Sequence, residues 1–478
     1  MALTRISAPD GKTSAAPQRL RILLRRVVCE ARLALASIGA LSVFIVGAGI
    51  SFLAQALAAR LLSADAYGEY AYVLSCILLI ASLCTLGFHV SLLKLVPASL
   101  GKAEWGLALG AIRFARTAGF LAATVAGGAC AIAATWYGDS NVALARAFMI
   151  GALALPFLTL HFIAAAVVRA FGGAALALTP ERILRDVFWL SLLVAISWST
   201  NSPLSSASAV SAMVCSAILV LICIEFAARW LQPAELLSQP PVYRRREWLR
   251  LAPPLMTLTL ADNLLSRSGV LVLGSLGMTR DAGLFALAFS ISQIAALPRM
   301  AVATKFAPTV ADLHARGRHA ELQNLLMRGA ALSLAGTVFV AAAVLFLARE
   351  LLNWIGPAFQ EAQGVVITLT VGQLICAAFG PHQHLITMTG QERTAAILQT
   401  SWAAISLFAC FVLSKSIGLQ GVAFALAGSL IGWNIAMAFR IFSTLNIVPG
   451  LAAPFLASGS ASQQPADTTG LPGGRKNG

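Results

Sequence analysis

Twelve stretches of the chain are almost continuously apolar, and polar residues gather in the short gaps between them. The stretches cover 34–58, 70–94, 114–136, 147–168, 183–200, 207–228, 251–274, 283–304, 329–348, 363–386, 395–415 and 420–442. Each is mostly Ala, Leu, Val, Ile, Phe and Gly, at a length suited to crossing ~30 Å of hydrocarbon. A segment surrounded by lipid must satisfy its own backbone, so every stretch is predicted to be a helix. Residues 1–18 and 450–478 are rich in Ser, Pro and Gly and read as disordered tails.

Composition agrees with the pattern. The 478 residues are 58% hydrophobic and 11% charged, against about 25% charged in soluble domains. Mean hydropathy is +0.81. The net charge of +15 could suggest nucleic acid, but its placement argues for a bilayer and no nucleic acid. With the N-terminus inside, 28 of the 34 Lys and Arg fall on the cytoplasmic side. Arg60, Arg146, Arg280, Arg349 and Lys415 fall outside, and Arg267 lies within a span. That asymmetry is what orients membrane helices, and it predicts twelve spans with both termini cytoplasmic. Arg19 to Arg32 run straight into the first stretch without a small-residue cleavage site, so this reads as an uncleaved first helix.

The chain repeats itself. "LLSADAYGEYAYVLS" (61–75) returns as "LGMTRDAGLFALAFS" (276–290), aligning Leu61, Gly68, Ala71 and Ser75 with Leu276, Gly283, Ala286 and Ser290. "KLVP" (94–97) returns as "KFAP" (305–308), and Arg113 aligns with Arg328. The spacing predicts an outer turn carrying the Gly in each copy, and an amphipathic helix over 310–327. Six spans recur in one orientation. The expected fold is all-α and integral to the membrane: twelve transmembrane helices in two parallel six-helix lobes around a central cavity. The boundaries are a basic N-terminal segment (1–33), an N-lobe (34–228), a cytoplasmic linker (229–250), a C-lobe (251–442) and a disordered tail (443–478).

Three stretches carry a resemblance. "RLLSADAYGEYAYVLSCILLIASLCTLGFHVSLLKLVP" (60–97), "GPAFQEAQGVVITLTVGQLICAAFGPHQHLITMTGQER" (356–393) and "GLQGVAFALAGSLIGWN" (418–434) resemble polysaccharide-biosynthesis, or O-antigen (Wzx-like), flippases. The resemblance implies membership of the multidrug/oligosaccharidyl-lipid/polysaccharide exporter superfamily. It also implies a bacterial inner-membrane location and a lipid-linked oligosaccharide as substrate, with polysaccharide polymerase and export machinery as possible partners.

The seventh stretch carries the most chemistry. Thr259, Asp262, Asn263, Ser266 and Arg267 share one face about 140° wide at 100° per residue. Each charge at this depth costs about 2.5–3.5 kcal/mol on insertion scales, so such groups usually face an interior or a wet cavity. Arg267 is expected to line a substrate cavity, and Asp262 either to line it or to pack. An Asp262–Arg267 pair is disfavoured, because helical pairs favour spacings of three or four. The resembled family often has an acid two positions after this arginine, where this chain has Gly269. Lys94, Arg299 and Lys305 lie towards the inner ends of their stretches. They serve either as positive-inside anchors or as cations for a diphosphate.

"PHQH" (381–384) could hold a proton but is more readily structural. Gly428 and Gly432 suggest close helix packing. The eight cysteines lack a CxxC and read as small packing residues, and no metal, cofactor or catalytic residue is expected. The expected function is alternating-access export of undecaprenyl-diphosphate-linked oligosaccharide. The rivals are a multidrug cation antiporter of the same superfamily, which would want an acidic cavity, and a membrane-embedded polysaccharide-modifying enzyme, which would want a catalytic cluster.

Overall fold

The computed structural model describes residues 42–43, 45–135, 141–199, 203–380 and 392–445. The N-terminal segment, "PHQH" and most of the C-terminal tail lie outside these residues. All regular elements described are helical, apart from a single bridge between Leu62 and Leu204. The first group is α1 (Ile45–Leu61), α2 (Ala64–Cys84), α3 (Phe88–Gly101), α4 (Trp105–Thr135), α5 (Val142–Ala170), α6 (Ala174–Thr179), α7 (Arg185–Ser199) and α8 (Ser206–Leu231). A short α9 (Ala234–Ser238) follows. The second group is α10 (Arg245–Ser275), α11 (Thr279–Ala315), α12 (His319–Ile355), α13 (Gln363–Ala377), α14 (Glu392–Ile417) and α15 (Leu419–Leu445).

Apart from short breaks and ends, each described part of the twelve apolar stretches falls on a helix. Among the described residues, eight candidate spans are long and apolar enough to cross a membrane, α2 and α3 counting together. The outward faces suit lipid. Phe226, Phe339, Phe346, Phe408 and Phe439 are all highly exposed, a surface that hydrocarbon makes favourable. Trp198 and Trp230, at the ends of α7 and α8, are also largely exposed. Tryptophan concentrates at the levels where hydrocarbon meets headgroups.

Helices α2 to α8 pack on one another around α5, and α10 to α15 pack together separately. The main helix–helix packing between the two groups joins α2 to α11 and α2 and α3 to α10. The C-terminal half of α5 carries an Ala–Val run, Ala164 to Val168, that is fully or almost fully buried. Small side chains let helix backbones approach where no hydrophobic force distinguishes protein from lipid.

Several local expectations are corrected. The repeated glycines are not in connecting turns: Gly68 and Gly283 lie inside α2 and α11, each the fifth residue of its helix. The predicted amphipathic helix over 310–327 does not form as one unit. Helix α11 continues to Ala315, Gly317 takes φ +67, and α12 starts at His319. The left-handed φ is accessible to glycine and ends the first helix there. The stretch 70–94 is broken where Leu86 (φ 52) and Gly87 (φ 81) separate α2 from α3. Helix α10 starts at Arg245, six residues before the predicted 251, because Trp248 is buried against the first group beside Phe114. Of the GxxxG pair, Gly432 meets the Trp402 ring, whereas Gly428 faces open space.

Candidate functional site

Helix α10 lies between the two groups, and its polar face divides between them. Arg267 turns to the first group, where its Nη1 donates to Ser75 Oγ of α2 at 3.4 Å. Asp262 turns the other way, and its Oδ1 accepts from Gln399 Nε2 of α14 at 3.0 Å. No ion pair joins Asp262 to Arg267 among the described residues. Five residues on one helix place them about 7.5 Å apart along the axis. Asn263 and Ser266 are partly exposed between them. The Thr259 hydroxyl returns to its own helix at Leu255 O, 3.3 Å away.

The two groups present different chemistry to this helix. On the first side Arg185 opens α7 and pairs through Nε with Asp186 Oδ1 at 2.8 Å. Arg185 lies close enough to Arg267 for their charges to interact, and Tyr70 lies within reach of both. Tyr70 stacks on Trp189 at 4.9 Å, and the indole N–H is tied to Ala209 O at 3.1 Å. Helix α7 is preceded by a π-helical turn, Pro180–Leu184, a rare geometry often found at functional positions. Arg267 has no carboxylate partner among the described residues. Gly269, two positions later, lies under Phe285, whose ring would be 2.3 Å from a Cβ there. An acid at 269 would collide with that ring, so the sequence and the packing agree.

On the second side Arg299 of α11 donates from Nη2 to Gln373 Oε1 of α13 at 3.3 Å. Gln373 Nε2 lies 3.5 Å from Gln293 Oε1. Arg299 also lies within charge range of Asp262. Lys94 is exposed on α3. Lys305 lies on α11, but its side chain is outside the described set.

The sequence singled out Arg267, Asp262 and Arg299 as candidates without naming the residues that they contact in the structure. Gln373 and Gln399 are lone amides in apolar helices, a costly placement that could have marked them. Arg185 is one of the 28 cations that the sequence assigns to the cytoplasmic side, and nothing in its spacing points to Arg267.

Two surface pockets lie elsewhere. One of about 340 Å³ is lined by Arg349, Asn353, Gln360 and Glu361. The other, of about 550 Å³, is lined by Tyr243 to Glu247.

The two groups of helices meet along α2, α10 and α11, an arrangement similar to that of solved transporters of the multidrug/oligosaccharidyl-lipid/polysaccharide superfamily. The chain belongs to the family described as polysaccharide biosynthesis protein, which matches residues 35–313. No curated protein matches the chain. Among solved structures it is similar to an inward-facing multidrug-resistance MATE transporter of that superfamily. The TM-score is 0.68 at 13% identity, covering 86% of this chain and 99% of the other. It is similar to the MATE multidrug transporter DinF-BH in complex with rhodamine 6G, at TM-score 0.62 and 16% identity, covering 87% and 95%. A superfamily transporter from Pyrococcus furiosus, described by a binding pocket of reversed polarity that suggests a different function, gives 0.57 at 13%, covering 86% and 95%.

Proposed function

We propose that this protein is a flippase for undecaprenyl-diphosphate-linked oligosaccharide in the bacterial inner membrane. It is a transporter and not an enzyme. It has twelve spans in two lobes, residues 34–228 and 251–442, with both termini cytoplasmic. The observation that carries the reading is Arg267, a guanidinium without a carboxylate partner among the described residues, set between the helix groups within charge range of Arg185. A lone cation at this depth costs about 2.5–3.5 kcal/mol, which an arriving dianion offsets. The sugar hydroxyls cannot cross hydrocarbon unaided, since each unsatisfied group costs several kcal/mol. A wet path between the lobes replaces their hydration.

Outward movement of two negative charges from a negative interior is favoured by about 4–5 kcal/mol per 100 mV. The membrane potential thus contributes drive without a bound ion. Family membership supports the pathway, and the fold supports alternating access. Polymerase and export machinery would act on the delivered product. A cation antiporter would want acids where Arg267 and Arg185 stand. The reversed pocket polarity described for the Pyrococcus relative supports a change of that kind within this fold.

Reconstitution tests the reading. Proteoliposomes should move undecaprenyl-diphosphate-linked disaccharide between leaflets and should not extrude rhodamine 6G. Rhodamine export without movement of the lipid would establish the antiporter instead.

A further inference from the structure

The second helix group contains a polar cluster that diphosphate binding does not use. It joins four helices: Asp262 on α10, Gln293 and Arg299 on α11, Gln373 on α13 and Gln399 on α14. Gln399 is 1% exposed and holds Asp262 at 3.0 Å, while Gln373 is 4% exposed and holds Arg299 at 3.3 Å. The two amides are thus buried supports. Asp262 is exposed, and Arg299 and Gln293 are partly so.

Resting on the flippase reading, we propose that Asp262, Arg299 and Gln293 form a sugar-binding site for the head group, separate from the diphosphate site at Arg267. Three features carry this. First, the bonding is incomplete. Arg299 Nε and Gln399 Oε1 are buried without a hydrogen-bond partner. Amides that merely glue helices together lose nothing by pairing fully, whereas each group left bare costs about 1–3 kcal/mol. Second, the exposed groups are mixed in sign. A carboxylate accepts, a guanidinium donates and an amide does both, which matches hydroxyls that both donate and accept. The carboxylate at Asp262 repels a phosphate, so the cluster favours the neutral part of the substrate. Third, the spacing suits a linear head group. The rise of about 7.5 Å between Arg267 and Asp262 is comparable to one sugar ring. A diphosphate at Arg267 therefore places the first sugars at Asp262.

The site would discriminate between glycans by which hydroxyls they offer. A site built to bond a hydroxyl rejects a ligand lacking it more strongly than an apolar wall does.

The test uses the full-length protein in lipid nanodiscs, titrated with bare undecaprenyl diphosphate and with undecaprenyl-diphosphate-N-acetylglucosamine. The readout is the ratio of the two affinities. Wild type should prefer the glycosylated lipid. Asp262→Asn keeps an oxygen for Gln399, and Gln293→Ala gives up only the long 3.5 Å contact with Gln373, whose tie to Arg299 remains. Both should reduce the preference about tenfold, a loss typical of hydrogen bonds to a charged or well-placed polar group. Equal weakening for both lipids would show a structural role and overturn the sugar site. So would a wild type that binds both lipids equally, although the flippase reading would survive. Binding of neither lipid by wild type would remove the flippase reading, and the sugar site with it.

Discussion

Gly68 of α2 and Gly283 of α11, aligned by the internal repeat, are packed against each other. A Cβ on Gly68 would lie 1.7 Å from Thr279 O and 2.9 Å from Gly283 N. A Cβ on Gly283 would lie 2.9 Å from Gly68 Cα. The repeat therefore marks a crossing between the two helix groups, where each copy supplies the missing side chain that lets the other approach. Gly68→Ala should force the crossing open, at a cost of about 1–3 kcal/mol from overpacking. Gly428→Ala meets nothing within 4 Å and should stabilise α15 by up to about 1 kcal/mol. Thermal melts in detergent should separate the two variants, and equal melting temperatures would show that the crossing is not close.

Glu69, next to that glycine, is 8% exposed. Its carboxylate accepts from Asn141 Nδ2 at 2.9 Å and from Ser206 Oγ at 2.5 Å, joining α2 to the starts of α5 and α8. Glu69→Ala leaves two donors bare and should cost about 1–3 kcal/mol. Glu69→Gln should keep part of the tie. If lipid binding fell while the melting temperature held, Glu69 would belong to a binding site instead.

What was legible in the sequence follows from what hydrocarbon enforces. The apolar runs had to be helices, and the charges on α10 had to find an interior. Hence the helical stretches and the isolation of Arg267 from Asp262 could be read directly. Contacts between distant segments could not. Asp262 and Gln399 are 137 residues apart, Arg299 and Gln373 are 74 apart, and no local period relates them. The glycines were misread for a related reason. A Gly near an apolar boundary suggests a turn, and only the partner helix shows that the missing side chain serves a crossing. The helix break at Leu86–Gly87 was hidden inside a continuous apolar stretch, and the one at Gly317 between two arginines, which are good helix formers.

Topology is checked by accessibility. Glu361, beside Arg280 at 2.9 Å, should face outside, and exposed Arg246 should face the cytoplasm. On intact spheroplasts an impermeant maleimide should label Glu361→Cys and spare Arg246→Cys until the cells are opened. The opposite result would invert the twelve-span assignment.

Arg267→Ala should abolish polymer export while leaving insertion and expression intact. It should also weaken undecaprenyl diphosphate binding at least about tenfold, as expected when a charged contact worth about 1.5–3 kcal/mol is removed. Arg267→Lys should recover part of both, because the contact needs charge more than a planar fork. Unchanged binding in the alanine variant would remove Arg267 from the site.

The crossing also suggests how the transporter closes. Around Gly68 and Gly283, Tyr67 meets Phe359 with ring centroids 6.2 Å apart, and the Arg60 guanidinium lies 4.7 Å from the centre of the Trp354 ring. Gln55 accepts from the Tyr67 hydroxyl at 2.9 Å. The two ring contacts join the groups at the end assigned to the outside, so outward release requires both of them to part. A short bifunctional thiosulfonate across Tyr67→Cys and Phe359→Cys should hold that end shut. Translocation should stop on crosslinking and return on reduction, while undecaprenyl diphosphate added from the cytoplasmic side still binds. The single-cysteine controls should be unaffected by the reagent. Continued translocation by the fully crosslinked protein would mean that this end does not open, and alternating access through it would have to be abandoned.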